Sequence, residues 1–400
     1  MLIFVGVLLL ISLVIVHEFG HFWAARKSSI EVEEFGIGFP PRAKVLTEKN
    51  GTKYTLNWLP LGGFVKLKGE HDSDTTKGSF GAAKLKNKVT VMVAGVFMNI
   101  IAAIVLLTIV ASTGMPQVVD NQFSIASDTK IVQQDVVVSY VSPGSPADIA
   151  GIKPGDYIKS IEDKNYDCDY CLEPVDASKV EFTKSQDISE NTKNFEGRDV
   201  VVDLVRDGKN VAVTAKLLTK QEVDDSKNTN QICRSEIQDT SEQCPEIKGY
   251  LGMIPSDYIK QRSTWSAPIV GTVTTFQFFG LTLQGLGGII ADLFHGQASV
   301  AGEQVTGVVG IGYILKEMSS QGFIAVLFLT AIISVSLAVM NILPIPALDG
   351  GRLFVTLIFR LFKKPLKKET EERIHATGFA LLMMLFVLIT VLDVKKFFIN

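Results

Sequence analysis

The first 21 residues, MLIFVGVLLLISLVIVHEFGH, determine more about this chain than any other stretch. Residues 2–16 carry no charged side chain and lead directly into His17, Glu18 and His21. In a helix His17 and His21 lie on one face, with Glu18 beside them, which is the spacing of an HExxH metal site. The stretch therefore predicts a membrane-spanning helix that carries a metal-binding motif into lipid.

Two other interpretations of this stretch stay open. The HExxH pattern could be a chance match, although ionisable side chains inside a bilayer are costly unless they are paired or bind an ion. The apolar run could also be a cleaved signal peptide, but it lacks a basic leading region and a small-residue cleavage site. A cluster of ionisable residues at such a depth in the membrane is by default interpreted as a functional site.

The composition predicts a membrane protein with an added soluble module. The 400 residues are 47% hydrophobic and 20% charged, with a net charge of −3. This is too apolar for an ordinary soluble enzyme and too charged for a chain wholly in the bilayer. The sequence has no basic tract with interleaved aromatic residues, so we expect no nucleic-acid partner.

Four segments are long and apolar enough to be spans, namely 1–25, 89–113, 322–343 and 374–392. Lysine and arginine concentrate at 26–88 and 352–373, which the positive-inside rule places in the cytoplasm. The region 115–262 and both termini should then lie outside the cytoplasm. A charge-free stretch at 263–291 would put the basic regions on opposite sides if it crossed, so we expect interfacial or re-entrant helices there.

These features predict a multi-span α-helical membrane protein, with four transmembrane helices and an inserted extracytoplasmic α+β domain. Residues 1–114 hold the first two spans and a cytoplasmic loop, and 115–262 form the inserted domain. Interfacial or amphipathic helices follow at 263–320. The last two spans occupy 321–400, and the protein should reside in the inner or plasma membrane.

The inserted domain resembles a bacterial PDZ domain. Its β-branched run from Val136, the segment SPGSPA at 142–147 and the segment AGIKPGD at 150–156 predict a strand, a short helix and a turn into another strand. Residues 199–206 and 211–217 predict a hairpin, and 249–252 resemble the peptide-binding loop. Residues 163–192 and 219–247 look like polar insertions. The domain could bind an extracytoplasmic peptide or act only as a filter against bulky substrates.

All the cysteines lie in the region predicted to be outside: Cys168, Cys171, Cys233 and Cys244. An oxidising compartment favours structural disulfides, for which three pairings are possible. Half of a zinc ribbon and a redox pair are the alternatives.

A third metal ligand is expected from the segment NILPIPALDGGR at 341–352. Catalytic zinc takes three protein ligands, and Asp349 follows the third predicted span at its cytoplasmic end, the depth that His17 and His21 reach. Asp349 could instead be only a helix-stop residue before two glycines. His71, His295 and His375 are rival ligands, but His71 lies in a polar loop and the other two lack a helical partner.

Together these motifs resemble the site-2 protease family of intramembrane zinc metalloproteases, of the regulator of sigma-E protease type. The resemblance rests on HEFGH at 17–21, NILPIPALDGG at 341–351 and a PDZ-like module between the second and third spans. It implies Zn²⁺ bound by His17, His21 and Asp349, with Glu18 as the catalytic base and Asn341 holding the substrate backbone.

The resemblance also implies a substrate site in the cytoplasmic loop. Residues 35–40 resemble the family's re-entrant glycine-rich segment, and 59–67, with Gly62, Gly63 and Phe64, resemble the hairpin whose edge receives the substrate. An ordinary amphipathic hairpin is the alternative. Asn99 matches a family position near the site, although Val96 stands where proline is usual, and one PDZ-like module is evident where well-known relatives have two.

The implied activity is hydrolysis of peptide bonds within single-span membrane proteins, such as anti-sigma factors or remnant signal peptides. A helix must unwind locally to expose its carbonyls, so we expect helix-weakening residues to favour cleavage. Two other functions remain open: a non-catalytic PDZ scaffold that binds extracytoplasmic tails, and a metal transporter.

Overall fold

The computed structural model describes residues 1–71, 73–164, 179–206, 208–236, 249–296, 302, 305–362 and 366–399. They form two compact units. The first comprises Met1–Met115, Asn121–Thr129 and Ser263–Asn400, and the second comprises Pro116–Asp120 and Lys130–Arg262.

The elements follow one another in this order along the chain: α1 (Leu2–Lys27), β1 (Val32–Lys49), β2 (Thr52–Leu67), α2 (Leu85–Thr113), β3 (Met115–Pro116), β4 (Lys130–Val141), α3 (Pro146–Ile149), β5 (Tyr157–Asp163), β6 (Lys179–Glu181), α4 (Ser185–Asn191), β7 (Asp199–Arg206), β8 (Lys209–Lys216), α5 (Lys220–Glu236), β9 (Met253–Arg262), α6 (Ala267–Phe294), α7 (Val308–Ser320), α8 (Phe323–Ile342), α9 (Asp349–Leu361) and α10 (Lys368–Val394).

Five helices within the described residues are long and apolar enough to cross a membrane: α1, α2, α6, α8 and α10. The sequence predicted four such helices and expected interfacial or re-entrant helices in the region that forms α6. The structure has a single helix of 28 residues there, which is the fifth helix long and apolar enough to cross a membrane.

Several polar side chains of α6, which argued against a span, make hydrogen bonds within the helix or to residues 121–123. The hydroxyls of Thr272, Thr275 and Thr282 each donate to the carbonyl four residues earlier. The Gln277 amide accepts a hydrogen bond from Phe123 N–H and donates to the Asn121 carbonyl. Such bonds let a helix carry polar side chains through an apolar environment.

Helix α2 is the centre of the helical unit, since α1, α6 and α8 all pack on it. Small residues make these approaches possible: a Cβ on Gly20 of α1 would lie 2.5 Å from the Ala94 carbonyl oxygen, and one on Gly271 of α6 would lie 2.6 Å from Thr108 N. The Ser334 hydroxyl of α8 donates to the Asn99 carbonyl of α2 at 2.8 Å. Small residues and interhelical hydrogen bonds are the usual basis of helix packing in lipid.

The long strands β1 and β2 bend to form four paired segments. Residues 42–49 pair with 52–57, residues 34–37 pair with 53–56, and residues 32–37 pair with 63–67. Segment 63–67 lies at one side of this small sheet, and the described pairing uses only one of its edges. Residues 35–40, expected as a re-entrant loop, are part of β1.

The second unit is built on a sheet whose described strands follow the order β3-β9-β4-β5-β7-β8, with β6 beside β5. Alternate residues of β4, β5 and β7 fill its core, among them Val136, Val138, Ile158, Val200 and Val202. The predicted hairpin forms as β7 and β8. Helix α3 is capped by the Ser145 hydroxyl, which accepts from Asp148 N–H.

The stretches predicted to be polar insertions contain more structure than expected. The first forms β6 and α4 and sends Phe182 and Ile188 into the core, and the second forms α5. A few apolar side chains among many polar ones were enough to anchor these elements. Cys168, Cys171 and Cys244 lie outside the described residues, and the side chain of Cys233 lies outside the description too.

Candidate metal centre

The structure brings His17, His21 and Asp349 together although 328 residues separate the second histidine from the aspartate. The Asp349 Oδ2 atom lies 3.0 Å from His17 Nε2 and 3.1 Å from His21 Nε2. The two Nε2 atoms lie 3.2 Å apart. Among the described residues these three side chains form the one group whose donor atoms could hold a metal ion.

The donor triangle fits a zinc ion. Zinc bonds of about 2.0–2.1 Å in tetrahedral geometry place neighbouring ligand atoms about 3.3 Å apart. The observed edges of 3.0, 3.1 and 3.2 Å are slightly shorter than that. Two imidazole nitrogens and one carboxylate oxygen are also a donor set that zinc prefers, with a fourth position left for water or substrate.

The outer nitrogens of both imidazoles are held by other residues. His21 Nδ1 donates to the Val91 carbonyl at 2.8 Å, so the neutral ring presents an Nε2 lone pair toward the triangle. His17 Nδ1 lies 3.2 Å from the Asn99 side-chain nitrogen, and Asn99 Oδ1 is buried without a partner. Exchanging the amide oxygen and nitrogen lets Oδ1 accept from His17 Nδ1–H. Both Nε2 lone pairs then face a carboxylate oxygen, an arrangement that a cation stabilises.

Glycines create the space for the triangle. A Cβ on Gly95 of α2 would lie 2.5 Å from His21 Nε2 and 2.6 Å from His17 Nε2. After α8, the chain turns through 343–348, and Asp349 begins α9. A Cβ on Gly350 would lie 2.3 Å from the Ile342 carbonyl oxygen, and one on Gly351 would lie 2.0 Å from that of Ile345. The double glycine therefore lets α9 start directly against the turn that positions Asp349.

Glu18 shares a small cavity with the triangle. The cavity is about 130 Å³ in volume, and His21 and Asp349 line it together with Glu18 and residues of β2 and α2. This is room for a few water molecules. A Cβ on Gly63 would lie 3.4 Å from Glu18 Cγ, so the edge segment 63–67 runs beside the glutamate.

The residues predicted to bind substrate occupy three different places. Gly63 and Phe64 belong to the edge segment beside Glu18, and Gly62 precedes them with a φ of 110°. Asn99 lies instead behind His17, fully buried. Asn341 donates from its amide to the Leu337 carbonyl of its own helix at 3.0 Å.

The rival histidines lie outside the triangle. His71 faces Glu371 and Glu372, with separations of 3.8 and 3.5 Å, His295 interacts with the Ala291 carbonyl, and His375 Nδ1 accepts from Ala347 N–H at 3.3 Å.

Sequence reasoning missed Arg352, which lines the same cavity as Glu18. Its guanidinium lies 4.8 Å from the centre of the Phe80 ring, donates to the Glu70 carbonyl and lies 3.8 Å from Glu371. Arg352 lies three residues after Asp349 in α9, and residues i and i+3 share a face of a helix, but the sequence predicted no helix at this position.

The fold and the site define a class: a multi-pass membrane protein with a candidate zinc centre formed by HExxH and a distant aspartate, with a glutamate beside it. The model of "Peptidase family M50" matches residues 5–385, so the chain belongs to this family of site-2 protease type. Zinc is its cofactor, and the protein is a zinc metalloprotease.

The chain is similar to curated relatives along almost its whole length. A Clostridium perfringens protein named as a zinc metalloprotease is 31% identical, over 96% of this chain and 95% of the relative. A Campylobacter jejuni protein with the same type of name is 28% identical, over 98% and 93%. The zinc metalloprotease RasP of Shouchella clausii is 25% identical, over 96% and 97%.

Proposed function

We propose that this protein is an intramembrane endopeptidase that cleaves peptide bonds within the transmembrane segments of other membrane proteins. The observation that carries the proposal is the position of the triangle. Two of its three donors and Glu18 lie on α1, a helix apolar enough to cross a membrane, and the third follows α8, another such helix. A protease site built on such helices is suited to substrates that are themselves in the bilayer.

In this proposal His17, His21 and Asp349 hold the zinc ion, and Glu18 is the general base. When bound, zinc lowers the pKa of water and polarises the substrate carbonyl. The Glu18 carboxylate accepts a proton from water in the shared cavity and delivers it to the leaving nitrogen. Asn99 and the Val91 carbonyl keep the two imidazoles oriented during these transfers.

The edge segment 63–67 is proposed to hold the substrate in extended form. A transmembrane helix keeps its carbonyls in internal hydrogen bonds, so it must unwind before hydrolysis. An unwound stretch that adds a strand beside Gly63, Phe64 and Val65 regains backbone hydrogen bonds next to Glu18. Helix-weakening residues in the substrate should therefore favour cleavage.

We infer that the site lies near the cytoplasmic side and that the second unit lies outside. Basic residues cluster at the end of the helices that carries the site: Arg26 and Lys27 end α1, and Arg352 follows Asp349. The positive-inside rule favours the cytoplasm for this end. The single-span substrates and the surrounding lipid are then the partners of the helical unit.

A second proposed activity, peptide binding by the PDZ-like unit, is supported by the loop at 249–252. The carbonyls of Tyr250, Leu251 and Gly252 accept from backbone N–H groups at Leu218, Ala147 and Ser142. These carbonyls are thus turned into the domain, and the loop leads directly into β9. This is the arrangement expected of a loop that captures a terminal carboxylate with its N–H groups. A filter against bulky substrates needs the domain but not this capture.

The central experiment compares the parent protein with Glu18→Gln in detergent or liposomes. Zinc content and cleavage of a model single-span substrate are measured together. We expect Glu18→Gln to keep its zinc and to lose at least a hundredfold in cleavage rate, because it removes the general base. Undiminished cleavage by Glu18→Gln refutes the assigned role.

A cellular test separates the protease from a PDZ scaffold, and a liposome test separates it from a metal transporter. If the chain were a PDZ scaffold, Glu18→Gln would leave its cellular role intact. If it were a metal transporter, liposomes containing the parent would accumulate zinc. The protease proposal expects Glu18→Gln to behave as a loss of function, and no zinc uptake above that of empty liposomes.

A further inference from the structure

We propose that the cavity beside Glu18 is a specificity pocket for one residue flanking the scissile bond, and that it accepts small and medium aliphatic side chains. This inference rests on the proposed protease function and on the strand addition at 63–67. It assigns the selection of the cleavage site to residues of β2 and α2 that are not metal ligands.

The cavity is lined by both reactive and apolar side chains. Glu18, His21 and Asp349 are the reactive ones. The apolar ones include Phe80, Val91 and Met92, which are between 1% and 4% exposed and belong to one buried apolar cluster. Because His21 Nδ1 donates to the Val91 carbonyl, the wall of the pocket is fixed relative to a metal ligand.

The edge strand directs a substrate side chain into this space. Along 63–67, alternate residues share a face, so Gly63, Val65 and Leu67 point to the side where Glu18 lies. The contact between Gly63 and Glu18, and the lining of the cavity by Val65 and Leu67, agree with this alternation. A peptide strand added beside this edge places its own alternate side chains on the same face.

Arg352 and Glu70, two charged residues that line the cavity outside the metal triangle, are engaged with other groups. Arg352 donates to the Glu70 carbonyl, and the Glu70 carboxylate accepts from Leu67 N–H at 2.8 Å. A polar side chain would therefore lose its water and gain little against the apolar lining, which disfavours it.

The size of the cavity sets the upper limit for the side chain. A cavity of about 150 Å³ holds a benzene-sized group, and this cavity measures about 130 Å³. Alanine, valine and leucine fit within that volume, whereas the indole of tryptophan does not. We expect the parent to cleave a tryptophan substrate at least about tenfold more slowly than a leucine substrate.

The test uses single-span substrates in which each residue flanking the cleaved bond is varied in turn to alanine, valine, leucine, phenylalanine and tryptophan. The parent is compared with Met92→Ala and Val65→Ala, which enlarge the pocket. Val105→Ala, a lipid-exposed change on the same helix as Met92, is the matched control. Zinc content is measured for every variant, and binding of the same substrates is measured with Glu18→Gln.

Enlargement should raise the ratio of kcat/KM for tryptophan over leucine by about tenfold or more. Binding to the Glu18→Gln background should shift in the same direction, and Val105→Ala should leave the ratio unchanged. If Met92→Ala loses zinc, Val65→Ala decides the outcome. A parent that cleaves tryptophan as fast as leucine, or a ratio that moves in neither zinc-loaded variant, overturns the pocket. A zinc-loaded parent that cleaves no substrate overturns the proposed function instead.

Discussion

Replacing Gly95 by alanine should weaken zinc binding although no ligand residue is changed. Gly95 faces the triangle from α2, and its added methyl carbon would lie 2.5 Å from His21 Nε2 and 2.6 Å from His17 Nε2. Ordinary contacts begin near 3.4 Å, so α2 or the rings must move by about 0.8–0.9 Å. Metal–ligand distances in genuine sites lie within about 0.2 Å of their standard values. The required movement is several times larger than that range.

The expected loss of zinc affinity follows from the contact of the Gly95 position with the donor atoms of both imidazoles. Changes to groups that orient metal ligands typically cost about 10–100-fold in affinity. Gly95→Ala forces the rings themselves to move, so we expect a loss at the upper end of that range. Zinc affinity is measured by competition with a chelator of known affinity, using protein purified in detergent.

A second glycine in an apolar helix provides the control. Gly287 of α6 has no atom within 4 Å of its added Cβ, so Gly287→Ala should keep zinc and should stabilise its helix by up to about 1 kcal/mol. If Gly95→Ala binds zinc as tightly as Gly287→Ala, then the close approach of α2 does not set the geometry of the triangle.

Three other changes should have distinct effects. Asn99→Ala should weaken zinc binding by about 10–100-fold, because His17 loses the partner that orients its ring, and Asn99→Asp should recover part of the loss in a chelator competition. Asp128→Asn should lower the melting temperature at neutral pH. Burial would raise the pKa of Asp128, but hydrogen bonds from Ser266 and Thr264 hold it below the ordinary aspartate value. The stabilisation is therefore complete above the ordinary value and is lost as the pH falls through the lower folded value, so melting curves of parent and variant should converge in strong acid. Removing zinc with a chelator should lower the melting temperature of the parent, and a variant with alanine at His17 should not respond; equal responses would contradict the assigned site.

The candidate ligands could be predicted from sequence because each belongs to a local pattern with a physical meaning. The spacing of His17 and His21 has one geometric consequence in a helix, and the preceding apolar run sets their depth. Asp349 needed only the further step that two helices running in the same direction end at the same level. Neither step required knowledge of side-chain packing.

Features that depend on close packing could not be predicted in the same way. The Gln277 side chain of α6 is hydrogen-bonded to residues 121 and 123, more than 150 positions earlier in the chain, and no local pattern in the sequence shows these partners. The need for glycine at Gly95 depends on where another helix places its imidazoles. The position of Asn99 behind His17 likewise appears only when α1 and α2 are in contact.

Zinc binding in this protein should therefore report on the packing of the whole helical unit. The triangle draws its donors from α1 and from the start of α9, while α2 holds both imidazoles from behind. A ligand that binds only the assembled state stabilises it by about 4 kcal/mol when present at a thousand times its dissociation constant. Gly350→Ala and Gly351→Ala, which have no room against the carbonyls of Ile342 and Ile345, should then weaken zinc binding although neither residue contacts a donor atom. The variant that loses more zinc affinity should also show the larger fall in unfolding temperature, because both quantities measure the same displacement of Asp349.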